Sequence, residues 1–306
     1  MSDRFRVLVT DFLADDQIER PVLGELAQIE LACAHDEAEL FDLLPTADAL
    51  IVYHDVPRIT EASINRLEHC RGIVRAGVGD NNIDIVAADR RGIPVCNVPD
   101  YGAEEVADHA IMMLLAVVRR LVPCHSSITG GDWSVPLVYG VPRLRGRTLG
   151  LLGCGRIGTA TAIRAKAFGL DVLFYDPFVP PGFEKALGVR RVESIDELFQ
   201  QSQFLSVHCY LDESTHHLVN GDRLRQMPSG GVLINTARGP IVDQQALLEV
   251  LDSGHLAGAG LDVVEREPLD DERLRHHPHI ILTPHVAFYS VEGFIEMRRK
   301  SAEEVR

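Results

Sequence analysis

Three charged residues late in the chain have side chains suited to anion binding and proton transfer: Arg238, Glu267 and His285. A guanidinium can hold a carboxylate through two hydrogen bonds. An imidazole can exchange a proton near neutral pH, and a neighbouring carboxylate favours its protonated form. Each residue alone is more typical of a surface ion pair or a loop, but their joint occurrence after successive apolar runs favours chemistry. Reversible hydride transfer to a 2-oxo acid requires such a set: a cation, here Arg238, to bind the substrate, and an acid–base residue with a partner, here the His285–Glu267 pair, for its oxygen.

A glycine-rich turn at 153–158 indicates a second site, for the phosphates of a dinucleotide. It fits G-x-G-x-x-G between a predicted strand and a predicted helix, the context that this motif requires. The first glycine permits a tight turn, the second lets the backbone approach a pyrophosphate, and the third lets helix and strand pack closely. The free N–H groups of the helix N-terminus then face the phosphates. The predicted phosphate-binding residues are Gly153, Gly155, Arg156, Ile157 and Gly158.

An acidic residue at the end of the next predicted strand favours NAD over NADP. Asp176 stands 18 residues after Gly158. A carboxylate at this place can bind both ribose hydroxyls and repels a 2′-phosphate. Pro177 and Phe178 follow it, so no adjacent arginine is available for such a phosphate. The alternative, a purely structural turn followed by a solvated aspartate, stays open from the residues alone.

The glycine turn and the charged residues lie within a half of the chain that alternates strands and helices. Helical patterns such as 157–168 and 243–251 separate most of the strands. Six parallel strands make a complete dinucleotide-binding sheet, and such sheets bind ligands beyond the carboxyl ends of their strands, where the three charged residues fall. The predicted strands are Thr148–Gly153, Asp171–Asp176, Phe204–Cys209, Gly231–Ala237, Ala259–Val263 and His279–Thr283.

The first hundred residues show the same alternation, with predicted strands at Arg6–Thr10, Leu50–Tyr53, Gly72–Ala76 and Pro94–Val98. This spacing predicts a parallel sheet covered on both faces. We therefore expect an α/β fold of two Rossmann-like domains around a cleft, a flavodoxin-like catalytic domain and an NAD-binding domain. The catalytic domain is predicted to be discontinuous, residues 1–100 plus 287–306, and the NAD-binding domain to span 101–286.

A long apolar helix is predicted between the two series, from Ala103 to Leu121. Acidic residues at its start, and Arg119 and Arg120 at its end, suit the helix dipole. Its middle is apolar on nearly every side, which predicts burial all round and hence a domain or subunit interface. We expect a homodimer that packs through helix 103–121. Residues 123–147, punctuated by proline and glycine, are expected to form an irregular loop.

Composition excludes several classes of partner. The 306 residues carry 30 Lys and Arg against 45 Asp and Glu, a net charge of −15, which disfavours nucleic acid and anionic membranes. The longest apolar run, Ala110–Val118, is far shorter than the ~20 residues of a membrane helix. Six cysteines without a C-x-x-C pair predict reduced core thiols in a cytoplasmic protein. His276, His277 and His279 lack the spacing of metal ligands, so no metal is expected.

These motifs, in this order, resemble the D-isomer-specific 2-hydroxyacid dehydrogenases. The joint pattern is specific and spans essentially the whole chain. The matching runs include Gly153–Gly158, Asn235–Gly239, Gly258–Asp262, Glu267-Pro268 and Thr283–His285.

The resemblance implies NAD as cofactor, a small 2-oxo or 2-hydroxy acid as substrate, and the three charged residues as the catalytic trio. It also implies that Asp262 holds the nicotinamide ring, and that the backbone N–H groups of Val78 and Gly79 bind the substrate carboxylate. The further positions that match the family's cofactor cleft are Val106, Cys209, Thr215, Thr236 and Ala237.

Within that family the chain is similar to the C-terminal-binding-protein branch, through Asn97–Pro99, His216–Leu218 and Tyr289-Ser290. The animal members of this branch are transcriptional co-repressors that keep the dehydrogenase fold and bind NAD. Phe288 departs from them, because they place a tryptophan there beside the substrate. Two alternatives to a metabolic dehydrogenase follow: an NAD(H)-sensing, co-repressor-like interaction protein with weak dehydrogenase activity, and a phosphoglycerate dehydrogenase.

Overall fold

The computed structural model describes residues 4–306, which form two compact units. The first unit takes the chain up to Gly102 together with Ser290–Arg306, and the second unit is Ala103–Tyr289. Each unit has one sheet of parallel strands, five in the first unit and seven in the second. The expected α/β fold with two parallel sheets is confirmed.

The sheet of the first unit has the strand order β2-β1-β3-β4-β5. Strand β2 has no counterpart among the predicted strands. It is an edge strand that pairs only with β1 and buries none of its residues, so it lacks the apolar run of a central strand. The strands are β1 (Phe5–Val9), β2 (Ala27–Leu31), β3 (Ala49–Val52), β4 (Ile73–Arg75) and β5 (Val95–Asn97), connected by helices α1 (Glu19–Leu23), α2 (Glu61–Ile64) and α3 (Ile85–Arg90).

The sheet of the second unit has the order β12-β11-β10-β9-β6-β7-β8. Successive strands are added on one side of β6 up to β8 and on the other side from β9, so the strand order reverses between β6 and β9. Open α/β sheets bind ligands at such a point, beyond the carboxyl ends of the strands. Strand β8 is missing from the predicted strands because its two residues are too few to show the alternation of apolar and polar side chains that marks a strand. The strands are β6 (Thr148–Leu152), β7 (Asp171–Tyr175), β8 (Arg190–Arg191), β9 (Phe204–Val207), β10 (Gly231–Asn235), β11 (Leu256–Leu261) and β12 (Ile280–Leu282).

Polar side chains cap several helices of the second unit. Ser194, Asn220 and Asp243 each accept an N–H group from the first turn of the helix that follows, which satisfies donors that the helix itself leaves free. The helices of this unit are α4 (Ala103–Val118), α5 (Leu121–Thr129), α6 (Arg156–Ala167), α7 (Phe183–Leu187), α8 (Ile195–Gln201), α9 (Gly221–Gln226), α10 (Gln244–Asp252) and α11 (Glu272–Arg275); the C-terminal helix α12 (Val291–Val305) belongs to the first unit.

The predicted helix 103–121 is divided in two. Helix α4 ends at Val118, and the chain turns through the left-handed conformation of Arg120 (φ 53°) before α5 begins. The expectation of an irregular loop from 123 is therefore wrong at its start: Pro123 lies in the first turn of α5, where a proline costs no hydrogen bond. Met112 is 49% exposed in the single chain, so burial of this helix on every side stays a prediction that requires a second subunit.

Within residues 4–306, no single helix combines the length and the apolar character needed to cross a bilayer. Helices α4 and α5 together meet that test by length and composition alone, but they are bent by 62° at their break.

Candidate active site

The glycine turn occupies the point where the strand order of the second unit reverses. Gly153 has φ 95°, and a Cβ there would lie 2.8 Å from the backbone of His208 and Cys209, at the end of β9. A Cβ on Gly158 would lie 2.4 Å from the carbonyl oxygen of Gly153. Gly155 has open space around it. The turn and the first residues of α6, Arg156 and half-buried Ile157, therefore form a cradle at a helix N-terminus, with open space at Gly155.

Asp176 is held against this turn. Its Oδ2 accepts the N–H of Cys154 at 2.8 Å, and its Oδ1 accepts the N–H of Phe178 at 2.9 Å. Each carboxylate oxygen thus accepts a backbone hydrogen bond, so the orientation of the carboxylate does not depend on a ligand. This placement suits recognition of a ribose by hydrogen bonds.

An arginine that is distant in the sequence also reaches the loop after β7. Arg191 donates to the carbonyl oxygens of Asp176, Val179 and Pro180 at 3.3, 2.8 and 2.9 Å, and its Nε lies 3.4 Å from Glu184. The sequence shows no arginine adjacent to Asp176, whereas the pairing of β7 with β8 brings one beside the loop. Its donors are engaged by protein groups, so it stabilises the loop.

The other predicted cofactor residues differ in their burial and hydrogen bonds. Thr236 is buried, and among the described residues its Oγ1 has no hydrogen-bond partner, which leaves a polar atom for a ligand to satisfy. The carbonyl of Ala237 accepts Arg238 Nη1 at 2.7 Å. Thr215 bonds within the loop after β9, and Val106 of α4 is 7% exposed. The glycine cradle, the oriented carboxylate of Asp176 and the unpaired hydroxyl of Thr236 together fit a dinucleotide.

His285 and Glu267 form a hydrogen-bonded pair. His285 Nδ1 lies 2.7 Å from Glu267 Oε2, and the two side chains are 37% and 40% exposed. Burial acts to raise the pKa of Glu267, but the hydrogen bond and charge of His285, the N–H of Val264 and the charge of Arg238 outweigh it, so this pKa lies below its usual value. Glu267 is therefore an anion at neutral pH. It accepts the hydrogen of Nδ1, and Nε2 is the nitrogen that can exchange a proton with a ligand.

Arg238 begins a tight loop after β10 that lies against the segment leading to Glu267. The side chain of Asn235 donates from Nδ2 to the carbonyl of Arg238 at 2.9 Å and so holds the start of the loop. A Cβ on Gly239 would lie 1.8 Å from the carbonyl oxygen of Val264. Only glycine permits this approach, which brings the guanidinium and the acid–base pair to the same edge of the sheet. Asn235 is a supporting residue that sequence reasoning did not select.

Asp262 is buried directly behind the histidine. Its carbonyl accepts the N–H of His285 at 2.8 Å, and its carboxylate accepts the N–H groups of Val286 and Ala287 at 2.9 and 3.0 Å. The side chain is 1% exposed. These contacts hold the segment that carries His285, while the role of Asp262 toward a nicotinamide ring stays a prediction.

Val78 and Gly79 follow β4 in the first unit. Asn97 Nδ2 donates to the carbonyl of Val78 at 2.6 Å. In the part of the chain that the structure describes, the N–H groups of these two residues donate to no protein acceptor. Their predicted role, donation to a substrate carboxylate, requires such free N–H groups.

The cysteines at the cofactor site are unreactive thiols. Burial raises the pKa of Cys154 to about 11 and that of Cys209 to about 12, so both are protonated at neutral pH. Neither is activated as a nucleophile. All six cysteines are unpaired, but Cys33 is exposed, so the expectation of core thiols throughout is wrong for it.

One cluster has the composition of a metal site. Ligand atoms of His217, Asp243 and Glu265 all lie within 4.8 Å of one another. Each is already engaged: His217 Nε2 lies 2.8 Å from Glu265 Oε1, which also accepts the N–H of Gln244, and Asp243 caps α10. We interpret the cluster as a hydrogen-bonded group that supports the loop after Arg238, and the absence of a metal stays a prediction.

Sequence comparison finds relatives along most of the chain. Residues 111–287 match the profile described as D-isomer specific 2-hydroxyacid dehydrogenase, NAD binding domain. The chain is 35% identical over 302 residues to C-terminal-binding protein 1 of Caenorhabditis elegans, which covers 95% of this chain and 41% of that protein. It is 36% identical over 280 residues to D-3-phosphoglycerate dehydrogenase of Methanocaldococcus jannaschii, with 92% and 53% covered. The chain thus spans about half the length of these relatives.

Comparison with solved structures finds similar folds along most of the chain as well. The fold superimposes on D-lactate dehydrogenase of Aquifex aeolicus, solved with NAD and lactic acid, with a TM-score of 0.88 and 30% sequence identity, covering 98% of this chain and 94% of that one. The glycine cradle, the profile match and these relatives lead to one conclusion. The chain contains an NAD-binding domain and belongs to the D-isomer-specific 2-hydroxyacid dehydrogenase family.

Proposed function

We propose that this chain is an NAD-dependent D-2-hydroxyacid dehydrogenase, which moves a hydride between NADH and the carbonyl carbon of a 2-oxo acid. The observation that carries the proposal is the 2.7 Å bond between His285 Nδ1 and Glu267 Oε2. The positive charge of Arg238 also acts on Glu267, where it helps to lower the pKa of the carboxyl. An acid–base pair, a cation for the substrate and a hydride carrier are what reversible reduction of a 2-oxo acid requires.

Each residue of the trio has one role in the proposed reaction. Arg238 binds the substrate carboxylate and polarises the carbonyl oxygen. NADH supplies the hydride when it is bound. His285 gives a proton from Nε2 to the carbonyl oxygen, which becomes the hydroxyl, and it takes that proton back in the oxidation. Glu267 holds the imidazole orientation and stabilises its protonated form. Val78 and Gly79 stay predicted donors to the carboxylate.

A panel of oxo acids tests the proposal through loss of NADH absorbance. It comprises glyoxylate, hydroxypyruvate, pyruvate, phenylpyruvate, 4-methylthio-2-oxobutyrate and 3-phosphohydroxypyruvate. Turnover of at least one acid is expected. Arg238→Lys keeps the positive charge but loses the two-pronged geometry, so it should lower kcat/KM about 10²-fold and leave the NADH dissociation constant unchanged. Absence of turnover for every acid, with NADH still bound, contradicts the dehydrogenase.

Two other candidates have specific support. The 35% identity to C-terminal-binding protein 1 favours an NAD(H)-sensing, co-repressor-like protein with weak dehydrogenase activity. The 36% identity to D-3-phosphoglycerate dehydrogenase favours that enzyme. NADH-dependent capture of a protein partner without turnover of any acid would support the first, and turnover confined to 3-phosphohydroxypyruvate would support the second.

We propose NAD as the preferred cofactor because Asp176 is oriented at the ribose end of the cradle. Asp176→Ala removes the carboxylate that repels a 2′-phosphate and that we propose binds the ribose hydroxyls of NADH. The ratio of kcat/KM for NADPH to that for NADH should therefore rise about 10- to 100-fold, the worth of one or two charged hydrogen bonds. Asp171→Ala, at the exposed start of the same strand, is the matched control and should leave the ratio unchanged. An unchanged ratio in both variants would assign the preference to another residue.

A homodimer through helix 103–121 stays our proposal for the assembly. Exposed apolar side chains on and after this segment support it: Met112, Leu121, Trp133 and Tyr139. Sedimentation equilibrium measures the assembly mass directly. We also propose a cytoplasmic location, which the six unpaired cysteines support.

A further inference from the structure

A chain of hydrogen bonds connects helix α4 to the segment that carries His285. His109 Nε2 lies 2.9 Å from Thr283 Oγ1, and this oxygen lies 2.6 Å from Asp262 Oδ1. The carboxylate of Asp262 in turn accepts the N–H groups of the two residues that follow His285. The whole chain of contacts lies within the second unit, although His109 and Thr283 are 174 residues apart in the sequence.

The direction of each bond follows from the hydrogens available. As a carboxylate, Asp262 only accepts, so the hydroxyl of Thr283 donates its one hydrogen to Oδ1. The oxygen of Thr283 then has only lone pairs to offer. His109 Nε2 must therefore carry a hydrogen and donate it to Thr283. This bond from α4 holds the hydroxyl in the rotamer that points at Asp262.

His285 depends on this support because of its backbone. Its φ is 54°, in the left-handed region that residues with a side chain rarely adopt. Asp262 holds the residue from both sides, through its carbonyl on the N–H of His285 and through its carboxylate on the next two N–H groups. A rotation of the Asp262 side chain would release the second contact and shift the imidazole.

We infer that His109 is a positioning residue for the proposed reaction. Through Thr283 it fixes the orientation of Asp262, and so it sets the place of the His285 imidazole relative to the substrate. The inference rests on the proposed function, in which His285 exchanges the proton.

His109→Leu and His109→Gln are the matched pair that tests it, because the two side chains have similar size and only glutamine keeps an N–H donor. We expect kcat to fall about tenfold or more in the leucine variant, with the KM for the oxo acid and the NADH dissociation constant within about twofold of wild type. The glutamine variant should recover most of the lost kcat.

Thr283→Val removes the hydroxyl without a change of volume, and with it the bonds to both His109 and Asp262, so it should lower kcat at least as much as His109→Leu. Because His109 acts through this hydroxyl, the double variant should be no slower than Thr283→Val alone. Equal kcat in the leucine and glutamine variants, or losses that multiply in the double variant, would overturn the inference.

A measurement without turnover separates this inference from the proposed function. In protein labelled with ¹³C-histidine, the NMR signal of the His285 ring is assigned by its loss in His285→Gln. Its chemical shift should change in His109→Leu and return to the wild-type value in His109→Gln. If the wild type turns over no oxo acid, the proposed function fails while this signal still tests the positioning. A His285 signal unmoved in His109→Leu would overturn the positioning itself.

Discussion

Replacing His285 by glutamine should lower kcat about 10²- to 10⁴-fold, the range that general acid–base catalysis contributes. Glutamine keeps the size and polarity of the side chain but cannot deliver a proton to the carbonyl oxygen. Glu267 accepts at 2.7 Å from Nδ1, so the other ring nitrogen carries the whole proton transfer. Stopped-flow measurement of a single turnover, with the best oxo acid of the panel, checks this directly.

The NADH dissociation constant of the same variant provides its control. The cradle at Gly153–Gly158 and the carboxylate of Asp176 lie on other loops, so we expect the dissociation constant within about twofold of wild type. Turnover within tenfold of wild type, at intact NADH binding, would falsify the role of His285. A loss of NADH binding would instead show that the substitution disturbs the nucleotide site.

Replacing Arg298 by methionine should destabilise the first unit by about 3–5 kcal/mol, the cost of leaving one partner of a buried ion pair uncompensated. Arg298 on α12 donates from Nε and Nη2 to the two carboxylate oxygens of Glu19 at 2.8 and 2.7 Å. Their side chains are 8% and 0% exposed. The hydrogen bonds to Glu19 hold the pKa of Arg298 above its usual value, so the guanidinium stays charged.

Arg299→Met is the matched control on the same helix. Arg299 Nη1 pairs with Glu303 at 2.5 Å, but both side chains are more than two-fifths exposed, so this substitution should cost less than about 0.5 kcal/mol. Urea unfolding followed by circular dichroism compares the two variants. Equal urea midpoints for the two variants would show that the buried Arg298–Glu19 pair contributes no more to stability than the exposed Arg299–Glu303 pair.

Several features of the active site follow from local sequence alone. The glycine turn and the acidic residue after the next strand are set by short spacings, and the three charged residues follow late strands, whose carboxyl ends lie at one edge of a parallel sheet. The structure places Asp176 against the turn and Glu267 on His285 as those spacings predict. Their roles in binding and catalysis stay predictions for the measurements above.

Other features could not be read from the chain. Arg191 reaches the loop of Asp176 only because two strands pair, and Gly239 matters only because its neighbour Val264 belongs to another loop. The break between α4 and α5 depends on the conformation of Arg120, in a stretch whose apolar pattern continues through it. No period or motif marks such positions, because the partner that makes them important is remote in the sequence.

The sequence by itself determined the fold class and the nucleotide turn, because these depend on backbone geometry and on spacings of a few residues. Only the tertiary structure decided which side chains support them: His109 lies 174 residues from Thr283, and Arg298 lies 279 residues from Glu19. Contacts of that kind arise when packing brings whole elements together. Their energy depends on burial and on hydrogen-bond geometry, and neither is a property of the sequence near one residue.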